Sequence, residues 1–270
     1  VHVSLFSLIK SVIFDDDAKD DASVDVACLF DQCSLEGNNY TNQTVTEESI
    51  MKLKLITPEN LHLDSKAQAF FNVRLTNVDE VTTNGFYWNE EDLGSTTFFP
   101  QGITTYHGGP DGESRFALAS WYGRKDEGYA KLGGRISFID ISNMHQQFDK
   151  EELEEQHLSY CHVLLVDQNF CTLPHIHVGG IEAVNGTLYV ADSRKGQYQI
   201  LMFDIANGLY ELPDDMQSNM SGFRYVLRQS SSFPSPIKPS FISYDSNFNK
   251  FVVGTYARCG NAIGKHVDSK

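Results

Sequence analysis

An internal repeat constrains this chain more than any other feature of its sequence. Three glycine- or proline-led segments align: FFPQGITTY (98–106), IHVGGIEAV (176–184) and IKPSFISYD (237–245). Each is followed by a second strand-like run: FALASWYG (116–123), TLYVADSRKG (187–196) and KFVVGTYARCG (250–260). In the first two copies a third run follows, GRISFIDI (134–141) or YQILMFDI (198–205), and then a fourth, CHVLLVD (161–167) or RYVLRQS (224–230). The runs are rich in aromatic and β-branched residues and are bounded by Gly, Asn and Asp, the pattern of strands joined by turns. Asn185-Gly186, between IEAV and TLYVAD, is the strongest hairpin signal, because a type I′ turn needs positive φ at both central positions.

Four-strand units at spacings of 78 and then 61 residues predict an all-β fold, a β-propeller of four-stranded antiparallel blades. A sandwich does not normally repeat its strand motifs in order. Each unit buries only half of its apolar face alone and needs neighbours. The third copy carries two strands and then the polar stretch GNAIGKHVDSK. A propeller leaves no long strand edge unpaired, so this reading calls for a further segment or chain. An N-terminal strand is one contributor to the last sheet; a second polypeptide, bonded through Cys259, is another. Residues 1–66 read as an N-terminal extension with an acidic loop and strands, and 67–270 as the blades. The one clear helical stretch, roughly 143–157, is highly charged and reads as an exposed insertion.

The cysteines and sequons speak to compartment. Cys28 and Cys33 flank LFDQ, and Cys161 and Cys171 flank a turn-like stretch. Both spacings suit local disulfides, although four cysteines allow three pairings. The paired CxxC knuckles of a structural zinc site are absent, and Cys259 is left odd. N-x-S/T sequons stand at Asn39, Asn42, Asn185 and Asn219, in loop-like or hairpin sequence, as glycosylation requires. The chain begins at Val1 without an initiator Met, as in a mature protein whose signal peptide has been removed. No stretch approaches the roughly 20 apolar residues that span a bilayer. These features predict a secreted, extracellular, disulfide-bonded glycoprotein.

Charge narrows the partners. With 21 basic against 36 acidic residues, a net of −15, the chain is poorly suited to a nucleic-acid backbone or an anionic membrane surface. Six aspartates between Asp15 and Asp25 leave Ca²⁺ open as a cofactor, but their spacing lacks the central Gly and terminal Glu of an EF-hand loop. A solvated acidic loop explains them as well.

The run PQGIT, ALASWYG, GRISFIDI, YCHVLLVD, HIHVGGIEAVNGTLYVADS, FRYVLRQ, FISYD and FVVGTY resembles a group of secreted, propeller-like proteins, common in actinobacteria and scattered among eukaryotes. The resemblance covers about residues 86–257. Its most specific piece is HVGGIEAVNGTLYVADS, where this chain departs from the group's pattern with Val178, Ala183 and Ser193 in place of Ala, Trp and Thr. The resemblance implies fold and export, and it carries no catalytic residues.

In a propeller the first strand of each blade lines the central channel. The repeat therefore nominates Gln101 and Thr104, then His177, Gly179 and Glu182, then Ser240 and Ser243, with His107 just after the first entry strand. His175 and His177 are two apart, so on an extended strand they share a face, as two metal ligands or an acid–base pair would. Glu182, Asp192 and His107 are the candidate completing groups; one channel histidine and one loop histidine is the structural alternative. Trp121-Tyr122 and Tyr87-Trp88 offer a stacking surface for a sugar, or packing between blades. Asp140 and Asp204 recur at matching strand ends, as do Asp167 and Asp192, where a carboxylate accepts from turn N–H groups. Motifs of serine hydrolases, P-loops and dinucleotide folds are absent.

Two classes of function fit. One is a secreted binding or assembly module whose ligand is a glycan, a small molecule or a protein. The other is an extracellular enzyme with channel histidines and an acidic partner, either a lactonase or ester hydrolase, with or without Ca²⁺, or an oxidoreductase; it rests on fold analogy.

Overall fold

The computed structural model describes residues 12–15, 50–74, 82–106, 108, 116–124, 131–142, 157–194 and 196–256. The strands among them are β1 (Val12–Asp15), β2 (Lys54–Leu55), β3 (Ser65–Arg74), β4 (Thr82–Tyr87), β5 (Phe98–Tyr106), β6 (Phe116–Gly123), β7 (Gly134–Asp140), β8 (His157–Val166), β9 (Ile181–Val184), β10 (Thr187–Asp192), β11 (Gln199–Asp204), β12 (Leu209–Glu211), β13 (Tyr225–Pro234), β14 (Phe241–Asp245) and β15 (Lys250–Gly254). Two one-turn helices, α1 (Glu90–Leu93) and α2 (Asp214–Gln217), interrupt them.

The repeat is visible in the pairing. Strands β5 to β8 form a four-stranded antiparallel meander, and β9, β10, β11 and β13 form another. Strand β13 joins the two. Its first half, Tyr225–Arg228, runs parallel to Val163–Val166 of β8, and its second half pairs with β11. The result is an eight-strand path, β5-β6-β7-β8-β13-β11-β10-β9. Its ends, β5 and β9, come back beside each other, so the sheet is nearly closed and barrel-like. The all-β expectation holds. Separate four-stranded blades are not established by a sheet that continues from β8 into β13.

In the third copy, β14 pairs with β15, and β1 adds to the far side of β15 with Val12 opposite Val253 and Asp15 opposite Lys250. An N-terminal strand thus extends the last sheet. The β3–β4 hairpin is tied to the first meander through Ser65–Gln68 against β8, and β2 is tied to the second through β12.

Alternation along each strand sorts the side chains. Phe116, Leu118, Ile136, Phe138, Val163 and Leu165 of the first meander meet Leu188, Val190, Leu201 and Phe203 of the second inside the barrel. The opposite face of the first meander, with Ala117, Ala119, Ile139 and Tyr160, lies under Ala67, Ala69, Phe86 and Trp88. Tyr189, Ala191 and Ile200 on the second pack against Ile242, Phe251 and Val253 of the third copy. The central strands are covered on both sides, which is why they read as near-continuous apolar runs. Each large aliphatic side chain so buried contributes about 1.5–3 kcal/mol.

The expected Cys161–Cys171 disulfide is not formed. Cys161 is a free thiol pointing into the barrel core, whereas the Cys171 carbonyl accepts from Asp167 N just past the end of β8. At about 3.3 Å per strand residue that end is roughly 16 Å from Cys161, far more than the ~7 Å between Cα atoms that a disulfide tolerates. Cys28, Cys33, Cys259, Asn39, Asn42, the aspartates from Asp16 to Asp25 and the helical stretch up to 156 lie outside the described residues.

The first two entry segments meet at Ser120 of β6, which is fully buried, and the third meets the second at Gly179 and Gly180. Strand β5 bulges between Pro100 and Ile103, and Gly102 N in that bulge donates to Ser120 Oγ at 2.9 Å. Ser120 Oγ donates in turn to the Val178 carbonyl at 2.8 Å, ahead of β9. A β-carbon at Gly102 would stand 3.2 Å from the Gly179 carbonyl oxygen, and one at Gly179 would stand 2.9 Å from that of Ser240. One at Gly180 would come within 2.3 Å of the Phe241 Cα. The glycines that head the first two repeats are there because three backbones meet. Gly180→Ala must push backbone against backbone and is expected to destabilise the fold by about 1–3 kcal/mol. Urea unfolding checks this: the midpoint should drop, and an unchanged midpoint would show that the entry strands are not this close.

Candidate functional site at the entry strands

The first-strand positions nominated from the repeat fall around this convergence. Thr104 and Glu182, on β5 and β9, are brought together: Thr104 Oγ1 donates to Glu182 Oε1 at 3.1 Å. Gln101 sits in the β5 bulge with an exposed side chain, its amide donating to the Pro100 carbonyl at 3.0 Å. Ser240 N donates to the Gly254 carbonyl at 2.7 Å, and the Ser240 carbonyl faces Gly179. Ser243 is exposed on β14. Trp121 has no exposed surface; its indole is held inside by Ser137. His107 lies outside the described residues. Among the described residues no group of three or more His, Cys, Asp and Glu side chains forms a metal cluster.

His175 and His177 do not lie on a strand. The segment ahead of β9 takes two left-handed conformations, His175 at φ 62° and Val178 at φ 42°. For a β-branched residue such as Val178 this is strained, at a cost of order 1–3 kcal/mol. Two contacts hold it: its side chain is fully buried in the barrel core, and its carbonyl accepts from Ser120. Between the two strained residues His177 is exposed and lies flat on Tyr122, with ring centroids 4.3 Å apart and planes at 16°. Tyr122 in turn leans on Phe99 at 5.9 Å, and the Arg124 guanidinium lies over Phe99 at 5.0 Å. Partial burial and the nearby Lys238 charge push the His177 pKa below its usual value, so the ring is neutral at pH 7.

A second constellation, not anticipated from the sequence, lies beneath the β3–β4 layer. Asn89 caps α1 through Asp92 N at 2.8 Å, and the Asp92 carboxylate is then turned onto the sheet. Arg135 Nη2 of β7 donates to it at 2.6 Å, with both side chains about nine-tenths buried. Tyr160 OH donates at 2.5 Å and His162 Nε2 at 2.9 and 3.0 Å. Arg135 is also sandwiched between the rings of Phe98 and Trp121, 4.6 Å from each. Burial alone would raise the Asp92 pKa, but the bonds from His162 and Tyr160 and the Arg135 charge carry it well below the ordinary carboxylate range. Burial holds the His162 pKa down.

The hydrogens in this network run one way. Trp121 Nε1–H donates to Ser137 Oγ at 2.7 Å. Ser137 O–H donates to His162 Nδ1 at 2.8 Å, and His162 Nε2–H donates to Asp92. The order resembles a serine–histidine–acid relay with the two imidazole nitrogens exchanged. Ser137 is fully buried and has spent an acceptor position on the indole, so a substrate carbonyl cannot reach it. The relay satisfies buried polar groups. Asp92, Arg135 and His162 border a cavity of about 220 Å³ shared with Cys161, Arg224 and Tyr225, where burial raises the Cys161 thiol to about 12, leaving it protonated and unreactive.

The strand-end aspartates act as their recurrence suggests. Asp140 accepts from Ser142 N at 2.9 Å, Asp204 from Ala206 N and Asn207 N at 3.0 Å, and Asp167 from Asn169 N and Cys171 N at 2.8 Å. Asp192, fully buried, accepts from its own turn at Arg194 N, 3.1 Å, and is paired with the Arg194 guanidinium at 2.7 Å. Comparison with protein-family models, curated proteins and solved structures gives no match.

The Asp92 network makes the fold sensitive to acid. The folded-state pKa of Asp92 is depressed, so its contribution is complete above 3.8 and is lost as the pH falls from there through the folded value. That of His162 is also depressed; protonation is favoured in the unfolded chain, and stability starts to fall below 6.5. Urea midpoints are therefore expected to decline from pH 7 to pH 3. Asp92→Asn should cost about 3–5 kcal/mol at pH 7, because Arg135 keeps a buried charge without its partner, and should flatten the decline below pH 4. A wild-type midpoint that is level across this range would contradict both statements.

Proposed function

We propose that this chain is a secreted glycoprotein acting as a ligand-binding or assembly module, built from propeller-like four-strand units. The observation that carries this reading is the arrangement at the entry strands. Thr104 with Glu182 and His177 on Tyr122 place polar and aromatic groups beside the convergence of three repeats. The Glu182 carboxylate accepts from a threonine hydroxyl, and His177 is stacked on a tyrosine; neither is engaged as an acid–base partner of the other.

The finer features of the proposal have separate support. The propeller-like reading, and with it the likeness to secreted propeller-like proteins, is supported by two four-strand meanders whose first strands meet through glycines. The third unit has three strands among the described residues, β14, β15 and β1. A further segment that extends this sheet is part of the proposal for that reason; with Cys161 the free thiol, Cys259 is no longer the odd cysteine, and a bond from it to that segment loses its parity argument. Export is supported by the two described sequons, both exposed: Asn185 at the tip of the β9–β10 hairpin with φ 50°, followed by Gly186 at φ 82°, and Asn219 in the 3-10 turn after α2.

Expression through a eukaryotic secretory pathway tests export. The protein is expected in the medium, with a mass that falls on enzymatic removal of N-glycans and in the Asn185→Gln and Asn219→Gln variants. Retention in the cell with no change in mass would contradict it. The purified protein should bind from a panel of glycans and small molecules while leaving lactones and esters intact; turnover of any of these that depends on His175, His177 or Glu182 would overturn the binding reading in favour of an enzyme.

A further inference from the structure

We infer that the solvent face of His177 is the floor of a binding site for an acidic saccharide, a pyranose ring carrying a carboxylate. The inference rests on the extracellular binding-module reading and adds the class of ligand to it.

Three observations lead to it. The first is a surface row of π faces: Phe99, Tyr122 and His177 follow one another from β5 across β6 to the segment ahead of β9. His177 covers Tyr122 with one face, is exposed, and is neutral, so its other face is a flat, weakly polar surface. Such a surface suits the C–H face of a sugar ring, which places hydrogens with partial positive charge over a π system, as other positive groups stack on aromatic faces.

The second is strain. His175 and Val178 bracket His177 in left-handed conformations, and Ser120 and the barrel core hold Val178 there. Strain kept by buried contacts beside an exposed aromatic ring is what a preorganised site shows.

The third is local charge. The protein carries a net −15, yet this row is flanked by cations. Arg124 is stacked on Phe99 at one end. At the other, Lys238 is exposed and acts electrostatically on His177, brought there by the contact of Gly179 with Ser240 two residues further on. A cationic strip on an acidic protein selects an anionic ligand locally and repels it elsewhere. A carboxylate on the pyranose ring is directed to Lys238 while the ring stays on His177; Arg124, at the far end of the stack, contributes to the local field alone. The extracellular setting supplies acidic saccharides in preference to nucleotides, the other class of anion with a ring that stacks.

Calorimetric titration with oligomers of galacturonic acid, beside uncharged galactose oligomers of the same length and adenosine monophosphate, tests the inference. The acidic oligomer is expected to bind, weakening with added salt, and the neutral one to bind at least about tenfold more weakly, the equivalent of about 1.4 kcal/mol. His177→Ala and Lys238→Glu should each weaken the acidic oligomer by about tenfold or more, and Lys238→Arg should restore most of the loss. Both positions are exposed, and thermal melts of the variants confirm that folding is intact. Equal binding of neutral and acidic oligomers, His177-dependent binding of adenosine monophosphate, or acidic binding that ignores both substitutions would each overturn the inference. If galacturonate fails while the broader panel yields a ligand that ignores His177, the inference falls and the binding-module reading stands.

Discussion

The hydroxyl of Ser120 is the contact on which the rest of the architecture depends. It accepts from the bulged backbone of β5 and donates to the backbone ahead of β9, and it does so with no access to water. A buried hydroxyl and a buried carbonyl left unpaired would each cost about 1–3 kcal/mol. The junction is therefore specified as well as stabilised: a shift of β5 by one residue would move Gly102 N away from Ser120 Oγ and forfeit that bond. The glycine contacts require this register. Three backbones approach at Gly102, Gly179 and Gly180 more closely than side chains would allow, and hydrogen bonding at Ser120 is what makes that approach favourable.

The proposed site follows from that junction. Val178 is anchored from both sides, so the strained segment before β9 has one available path, and that path lays His177 on Tyr122. On the opposite face of the same meander, the covering layer of β3, β4 and α1 removes water from Arg135, Ser137, Tyr160 and His162. These groups then turn to one another, with Asp92 as the shared acceptor of Arg135 Nη2, Tyr160 and His162, and of their buried polar atoms only Arg135 Nε is left without a hydrogen-bond partner among the described residues. Its role is in stability: a buried carboxylate neutralised by Arg135 and joined to three strand residues fixes how the outer layer docks.

The repeat made most of the strands legible. Strands β5 and β6 match the expected segments FFPQGITTY and FALASWYG residue for residue, because period-two patterning and turn residues are local signals. The Asn185-Gly186 hairpin was legible for the same reason. The parallel pairing of β13 with β8 was not, since nothing in RYVLRQS marks where a strand bends from one partner to another. Part of the site was legible: matched positions in the repeat picked out Thr104, Glu182 and His177. The Asp92 network was hidden because Asp92 lies 43 residues before Arg135 and 70 before His162. Its trace in the sequence was the polar trio Arg135, Ser137 and His162 inside strands that are otherwise apolar. In strands buried on both faces such residues have to find partners. The Cys161–Cys171 pairing failed because spacing along the chain ignores the length that an intervening strand imposes.

The convergence of the entry strands is tested most directly by a short bifunctional thiol reagent on the Thr104→Cys/Glu182→Cys double variant, read by peptide mass mapping. The two side chains meet across β5 and β9 at 3.1 Å while 78 residues separate them in sequence. A bridge joining the two peptides in folded protein, lost when the protein is unfolded in urea before treatment, is the expected result. Folded protein in which both thiols react singly and no bridged peptide forms would contradict the near-closure of the sheet and the site built on it.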